Sequence, residues 1–330
     1  MKIAILGAGS WGTALGQVLI ENGSKVLLWH LEPSFVDEIN RTYEHPFLPD
    51  VSLSKESHFT SSLDEIVDYG EILVSAIPSQ VVRRVLSQFP NGWSKPVISV
   101  SKGIENQTGL RMSEVIYETL SLSYEKIVVL SGPSHAEEVA RKHPTAIVAA
   151  SNSKKLSQKT QELFSNDYFR VYTSDDAAGV EYGGSAKNII ALAAGICHGL
   201  GFGDNTMAAL STRGLEEIIR LGVAMGARRS TFSGLSGMGD LVVTAFSPHS
   251  RNRQVGIRIG NGEKLDDIIS SMDMVAEGVE TTRSIYHLSR KNNIEMPICE
   301  QIYKVLFENI SPRQAILELM GRGLVDEHSI

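Results

Sequence analysis

The chain opens Lys2-Ile3-Ala4-Ile5-Leu6-Gly7-Ala8-Gly9-Ser10-Trp11-Gly12 and runs on through Thr13-Ala14-Leu15-Gly16-Gln17-Val18-Leu19. A short β-forming apolar run ends in a Gly7-x-Gly9-x-x-Gly12 loop, and a helix-like segment follows at once. Each glycine meets a separate demand in that setting. Gly7 permits the tight turn, Gly9 lets the backbone approach a pyrophosphate, and Gly12 lets the helix pack closely on the strand. Ser10 and Trp11 open the helix, whose N-terminus offers unpaired N–H groups and the positive end of its dipole. Three glycines alone also fit a structural turn; their place between a strand and a helix is what points to a bound dinucleotide.

Outward from that loop, residues 24–30 (Ser-Lys-Val-Leu-Leu-Trp-His) form a second apolar strand. Dinucleotide folds often carry Asp or Glu at this strand's end to hold the adenosine ribose hydroxyls. Here the position is His30, with Glu32 two residues beyond. A carboxylate would repel the 2′-phosphate of NADP(H) and a histidine does not, so both NAD(H) and NADP(H) are admitted.

The alternation continues with strand-like runs at 71–77, 96–100, 126–130, 144–150 and 169–172, separated by helix-like segments. Continuous apolar strands alternating with helices predict a mostly parallel, doubly wound Rossmann-type α/β sheet covered on both faces. Ligands of such sheets bind beyond the carboxyl ends of the strands. Lys102, Gly132 and Ser134 fall at such ends. Each also has a plainer reading: Lys102 as a solvated loop cation, Gly132-Pro133-Ser134 as a turn and helix cap.

From about Asp176 the periodicity becomes helical, which predicts a Rossmann-type domain over 1–177 and an all-α domain over 178–330. Residues 179–195 read as a buried helix rich in small residues, with Lys187 its odd member. The residues three and four positions away are Gly183, Gly184, Ile190 and Ala191, which predicts room around the ammonium and little that could neutralise it. An acid/base role follows from that reading; a lysine snorkelling to the surface is the alternative. Gly234-Leu235-Ser236-Gly237-Met238-Gly239-Asp240 is a glycine-rich break placing one carboxylate at a helix start. Ser250-Arg251-Asn252-Arg253 sets two guanidiniums beside two small polar groups, chemistry suited to a phosphate. Cations oppose the dipole at a helix start, so two arginines there point to a bound anion.

Length and composition bound these readings. At 330 residues two domains are the default, and 42% hydrophobic with 21% charged residues is ordinary for a globular enzyme. A net charge of −7 argues against nucleic-acid binding, so a phosphorylated ligand must be met by a local cation cluster. Cys197 and Cys299 have no metal-ligand spacing, and no metal is expected. No apolar run is long enough to span a bilayer and the first strand is broken by glycines. Cytoplasmic residence is therefore the expectation.

With these residues assembled, the chain resembles the bacterial-type NAD(P)-dependent sn-glycerol-3-phosphate dehydrogenases over nearly its whole length. The motifs are Gly-Ala-Gly-Ser-Trp-Gly at 7–12, Phe-Leu-Pro at 47–49, Ser-Lys-Gly at 101–103 and Ser-Gly-Pro-Ser at 131–134. They continue with Ala-Lys-Asn at 186–188, Thr-Arg-Gly at 212–214, Gly-Met-Gly-Asp-Leu at 237–241 and Ser-Arg-Asn-Arg at 250–253. The resemblance implies a Rossmann domain followed by a helical domain like that of 6-phosphogluconate dehydrogenase, paired as a homodimer. It implies Lys187 as the catalytic proton acceptor in alcohol oxidation and Lys102 in contact with both cofactor and substrate. Gly132, Ser134, Asp240, Ser250, Arg251 and Asn252 match substrate positions. Ser10, Trp11, His30, Ala136, Arg251, Val275 and Glu277 match cofactor positions. The implied reaction is reversible hydride transfer between NAD(P)H and dihydroxyacetone phosphate, giving sn-glycerol 3-phosphate for phospholipid synthesis. A 3-hydroxyacid or 6-phosphogluconate-type dehydrogenase, a dinucleotide sensor without turnover and a scaffold protein are the competing readings.

Overall fold

The computed structural model describes residues 1–272, 275–324 and 326–327. The chain divides into two compact units: 1–102 with 112–180, and 103–111 with 181–330.

The first unit is built on eight strands: β1 (Lys2–Leu6), β2 (Lys25–Trp29), β3 (His58–Thr60), β4 (Ile72–Ser75), β5 (Val97–Ser99), β6 (Ile127–Ser131), β7 (Thr145–Ala150) and β8 (Phe169–Ser174). Its helices are α1 (Ser10–Glu21), α2 (Pro33–Thr42), α3 (Leu63–Tyr69), α4 (Val82–Leu86), α5 (Met112–Leu120), α6 (Ala136–Ala140) and α7 (Lys154–Phe164). The strand order is β3-β2-β1-β4-β5-β6-β7-β8, so the chain reverses its direction of travel across the sheet between β1 and β4. The glycine loop after β1 lies at that switch point, where open α/β sheets take their ligands. Ile3, Ala4, Ile5 and Leu6 are wholly buried, as a central strand covered on both faces requires.

All strand pairs are parallel except β6 with β7, which run antiparallel with Ser131 opposite Val148. The link from β6 to β7, residues 132–144, carries only the short α6 and brings the chain back into the sheet from the end it left. β3 is the one strand the sequence pattern does not announce: at three residues, His58–Thr60, it is too short to show a period.

The second unit is helical: α8 (Ala177–Gly199, begun in the first unit), α9 (Asp204–Ala224), α10 (Asp240–Phe246), α11 (Arg251–Gly260), α12 (Leu265–Ser270), α13 (Glu277–Lys291), α14 (Pro297–Phe307) and α15 (Pro312–Met320). Residues 179–197 of α8 are buried on every side, the behaviour of a central helix. Two glycines per helix bring α8 and α11 into backbone contact. A Cβ on Gly195 would stand 2.1 Å from the Arg253 carbonyl oxygen, and one on Gly256 would stand 2.2 Å from that of Leu192. One turn on, Gly199 and Gly260 repeat the arrangement. This crossing fixes the start of α11 relative to α8. No helix among the described residues is long and apolar enough to cross a membrane.

Candidate active site

In the sheet unit, the glycine loop is shaped by contacts that admit no side chain. Gly7 has φ +118°, and a Cβ there would lie 2.6 Å from the Ala76 carbonyl oxygen; one on Gly12 would lie 1.9 Å from that of Gly7. Over Gly9 the space is open, with no atom within 4 Å of a Cβ position. Gly9 is also the N-cap of α1, and no side chain caps that terminus. An open glycine at an uncapped helix start, ahead of buried Ser10 and half-buried Trp11, is what a pyrophosphate requires. The residues present fit a dinucleotide.

His30 follows β2 and stacks on Phe35 with ring centroids 4.0 Å apart. Its Nδ1 accepts from the Glu32 N–H at 3.2 Å. Burial pushes its pKa below the usual histidine value. A neutral imidazole tolerates a 2′-phosphate but brings it no charge, so the end of β2 lacks a carboxylate that would turn NADP(H) away.

Three further residues meet at one carbonyl. Lys102 Nζ donates to the Gly132 oxygen at 3.0 Å, and Ser134 Oγ donates to the same oxygen at 2.9 Å. Gly132 has φ +146°, and a Cβ there would press on Ile147 Cα at 2.9 Å, so the turn that presents this carbonyl accepts only glycine. Ala136, buried, opens α6 directly beyond.

In the helical unit, Lys187 is buried on α8 and donates to Asp240 Oδ1 and to Thr244 Oγ1, the latter at 2.6 Å. Thr244 in turn donates to the Asp240 main-chain oxygen at 2.7 Å. Lys187 and Asp240 thus form a buried charge pair braced by one hydroxyl. This corrects the expected vacancy around the ammonium. The small residues of α8 do not leave space: a Cβ on Gly183 would lie 2.6 Å from the Ser236 carbonyl oxygen. The missing side chains let the turn 235–239 press against α8, and that turn delivers Asp240 at the start of α10.

The phosphate-type cluster is assembled beside it. Ser250 caps α11, its Oγ accepting from the Arg253 N–H at 3.2 Å. Arg251 is exposed and donates from Nη1 to the Val275 carbonyl at 3.1 Å. Arg253 has its Nε buried with no hydrogen-bond partner. Asn252 Oδ1 accepts from the Gly278 N–H at 2.8 Å in the first turn of α13, which Glu277 opens. With its oxygen engaged there, the Asn252 amide presents its NH2 group as a donor on the other side. A Cβ on Gly278 would stand 2.8 Å from Asn252 Oδ1 and 2.9 Å from the Asn188 carbonyl oxygen. The start of α13 therefore wedges between Asn252 and the residue next to Lys187, so Lys187 and the Ser250–Arg251–Asn252 cluster are neighbours in one unit.

Comparison with known proteins places this arrangement. Residues 2–157 match the model of the NAD-dependent glycerol-3-phosphate dehydrogenase N-terminus, and residues 176–317 match that of its C-terminus. The chain belongs to the NAD-dependent glycerol-3-phosphate dehydrogenase family. It is 49% identical to glycerol-3-phosphate dehydrogenase [NAD(P)+] of Carboxydothermus hydrogenoformans, over 99% of this chain and 98% of the relative. It is 50% identical to the enzyme of that name from Listeria innocua, over 97% and 96%. The crystal structure of glycerol-3-phosphate dehydrogenase from Coxiella burnetii superposes with a TM-score of 0.92 at 36% identity, covering 97% of this chain and 98% of that one.

In this member of the glycerol-3-phosphate dehydrogenase family, sequence reasoning missed Thr244. Thr244 lies one helical turn after Asp240, and the i, i+4 spacing was the available signal. Among the described residues no group of three His, Cys, Asp or Glu side chains is placed to hold a metal ion.

Proposed function

We propose that this chain catalyses reversible hydride transfer between NAD(P)H and dihydroxyacetone phosphate, forming sn-glycerol 3-phosphate. In this reading residues 1–177 act as the dinucleotide-binding domain and 178–330 as the substrate domain. The observation that supports it most is the buried Lys187–Asp240–Thr244 group adjoining the Ser250–Arg251–Asn252 cluster, a proton donor beside an anion grip.

The dinucleotide, when bound, supplies the hydride that reduces C2 of the ketone. Everything else falls to the chain. The Gly7–Gly12 loop, Ser10 and Trp11 take the pyrophosphate on main-chain N–H groups. His30 lines the adenosine ribose, while Ala136, Val275 and Glu277 complete the cofactor contacts. Ser250, Arg251 and Asn252 hold the substrate phosphate by charge-assisted hydrogen bonds. Lys102, Gly132 and Ser134 orient the three-carbon body. Lys187 transfers a proton from Nζ to the developing alkoxide on O2 and is reprotonated from solvent; in oxidation the proton returns to Nζ. Asp240, with Thr244, keeps Nζ in one place through both half-reactions.

The product serves phospholipid synthesis in the cytoplasm, and the protein works as a homodimer. Support for pairing comes from α10. It turns Asp240 and Thr244 inward and leaves Val242 and Phe246, with Met238 of the turn before it, 39 to 47% exposed at four-residue spacing. Such an apolar stripe fits a second copy; light scattering on the purified chain tests it.

The experiment that tests the reaction follows NADPH and NADH oxidation with dihydroxyacetone phosphate, beside a panel of keto acids. Turnover with the phosphorylated ketone alone is expected. Turnover only with keto acids would move the chain to the hydroxyacid dehydrogenases, and cofactor binding without turnover would make it a sensor.

A further inference from the structure

The motif Phe47-Leu48-Pro49 and the buried histidine just before it have no place in the reaction above. His45 is 3% exposed and lies next to the glycine loop: its Nε2 is 3.1 Å from the Ala8 carbonyl oxygen, and its Nδ1 is 3.1 Å from the Phe47 main-chain nitrogen. A carbonyl oxygen can only accept and a peptide N–H can only donate. Both contacts are made at once by a single form of the ring, the neutral tautomer with its proton on Nε2. Burial, which pushes the His45 pKa below its usual value, favours that uncharged form. Phe35 and Phe47 flank the ring edge-on, with centroids 5.5 and 5.8 Å away, and hold its plane. Leu48 is buried and donates its N–H to the His45 carbonyl at 3.0 Å, which ties the motif's turn to the histidine.

The consequence is stereochemical. The Ala8 carbonyl and the Gly9 N–H belong to one planar trans peptide and point in opposite directions. The Ala8 N–H is already committed to the Trp29 oxygen at 2.7 Å. Fastening the Ala8 oxygen to His45 therefore fixes the remaining freedom of the 8–9 peptide and turns the Gly9 N–H away from His45. Over Gly9 the space is open. We propose that His45 is a positioning residue for cofactor binding: through the Ala8 carbonyl it holds the Gly9 N–H outward to receive the dinucleotide pyrophosphate. This rests on the reading that the Gly7–Gly12 loop carries the cofactor.

Two substitutions separate this role from general support of the fold. His45→Gln places an amide NH2 near the Nε2 position and keeps the donor to Ala8, losing the acceptor for Phe47. His45→Asn places its amide oxygen near Nδ1, keeping the acceptor and losing the donor. Fluorescence titration of the full chain with NADPH is expected to show Kd raised about tenfold in His45→Asn, the effect of one hydrogen bond. Kd in His45→Gln should stay close to that of the unaltered chain, with similar thermal midpoints in both. Equal effects in the two variants, or a larger loss in His45→Gln, overturn the proposal. In parallel, nitrogen-15 NMR of the unaltered chain at pH 7 should show His45 protonated on Nε2 alone; a proton on Nδ1 overturns it even where a variant fails to fold. Failure of the unaltered chain to bind NADPH would overturn the cofactor reading itself, a result distinct from normal binding by His45→Asn.

Discussion

Substituting Gly256 by alanine tests how the helical unit builds its site. The new Cβ would stand 2.2 Å from the Leu192 carbonyl oxygen and 2.9 Å from Gly195 Cα. Ordinary carbon contacts begin near 3.5 Å, so α11 must retreat from α8 by about 1 Å. Both faces of that contact are main chain, and no side-chain rotamer can absorb the overlap. Overpacking of this kind costs roughly 1–3 kcal/mol, which for a unit of this size lowers Tm by roughly 2–4 °C per kcal/mol. The catalytic effect should be larger than the loss of stability implies. Ser250, Arg251 and Asn252 sit at the start of the displaced helix, and a misplacement of about 1 Å can cost roughly 10²-fold in rate. Steady-state kinetics with dihydroxyacetone phosphate should show kcat/KM down by about that factor in Gly256→Ala. Gly260→Ala meets the Ile196 oxygen at 2.5 Å one turn further from the cluster; it should lose similar stability and less activity. A Gly256→Ala chain with unchanged Tm and kcat/KM would refute the close crossing and the dependence of the anion cluster on it.

Three other outcomes follow from the geometry. Lys187→Ala should retain NADPH affinity while kcat falls by at least roughly two decades, the usual scale of acid–base help; near-normal kcat under saturating substrate would remove Lys187 from the chemistry. Arg251→Ala should raise KM for the phosphorylated substrate about tenfold or more with a smaller effect on kcat, and an unchanged KM would count against a phosphate role. Glu217 supplies a pH dependence. It lies buried on α9, its two carboxylate oxygens accepting from the Ile298 and Cys299 N–H groups at 2.7 and 3.2 Å, and burial pushes its pKa from 4.5 up to about 7 despite those bonds. The folded chain therefore holds this proton where the unfolded chain has released it, and stability falls as pH rises from about 4.5 to about 7, by up to roughly 3 kcal/mol. Thermal unfolding across that range should show the decline in the unaltered chain and a flatter profile in Glu217→Gln; parallel profiles would refute it.

What the sequence made legible divides along physical lines. The Gly7–Gly12 loop and the β-strand runs could be read because local periodicity and backbone demands are written in consecutive residues. The antiparallel β7 could not, since the direction in which a strand pairs is set by contacts with a neighbour distant in the chain and not by its own apolar run. The segment 103–111 is a sharper case. Ser284 Oγ donates to the Ile104 oxygen at 2.8 Å, and Asn106 bonds to Glu280, both partners on α13 more than 170 residues away. Contacts at that separation assign the segment to the helical unit, and nothing in its composition says so.

The same distinction explains Lys187. Its flanking glycines are visible in the sequence, and in a helix considered alone they leave room. In the folded chain small residues are where another backbone comes closest, as Ser236 does at Gly183. That approach carries Asp240 and Thr244 to the amine, so the features that predicted an unaccompanied cation are the ones that give it partners. Two charges buried together tie function to stability: breaking a buried pair by removing one member costs about 3–5 kcal/mol, whereas replacing both with apolar groups costs far less. Asp240→Leu should accordingly unfold at much lower urea than Lys187→Met/Asp240→Leu, although both are inactive. If the single and double variants unfold together, the pair contributes no such coupling, and Asp240 would have to be assigned to the substrate alone.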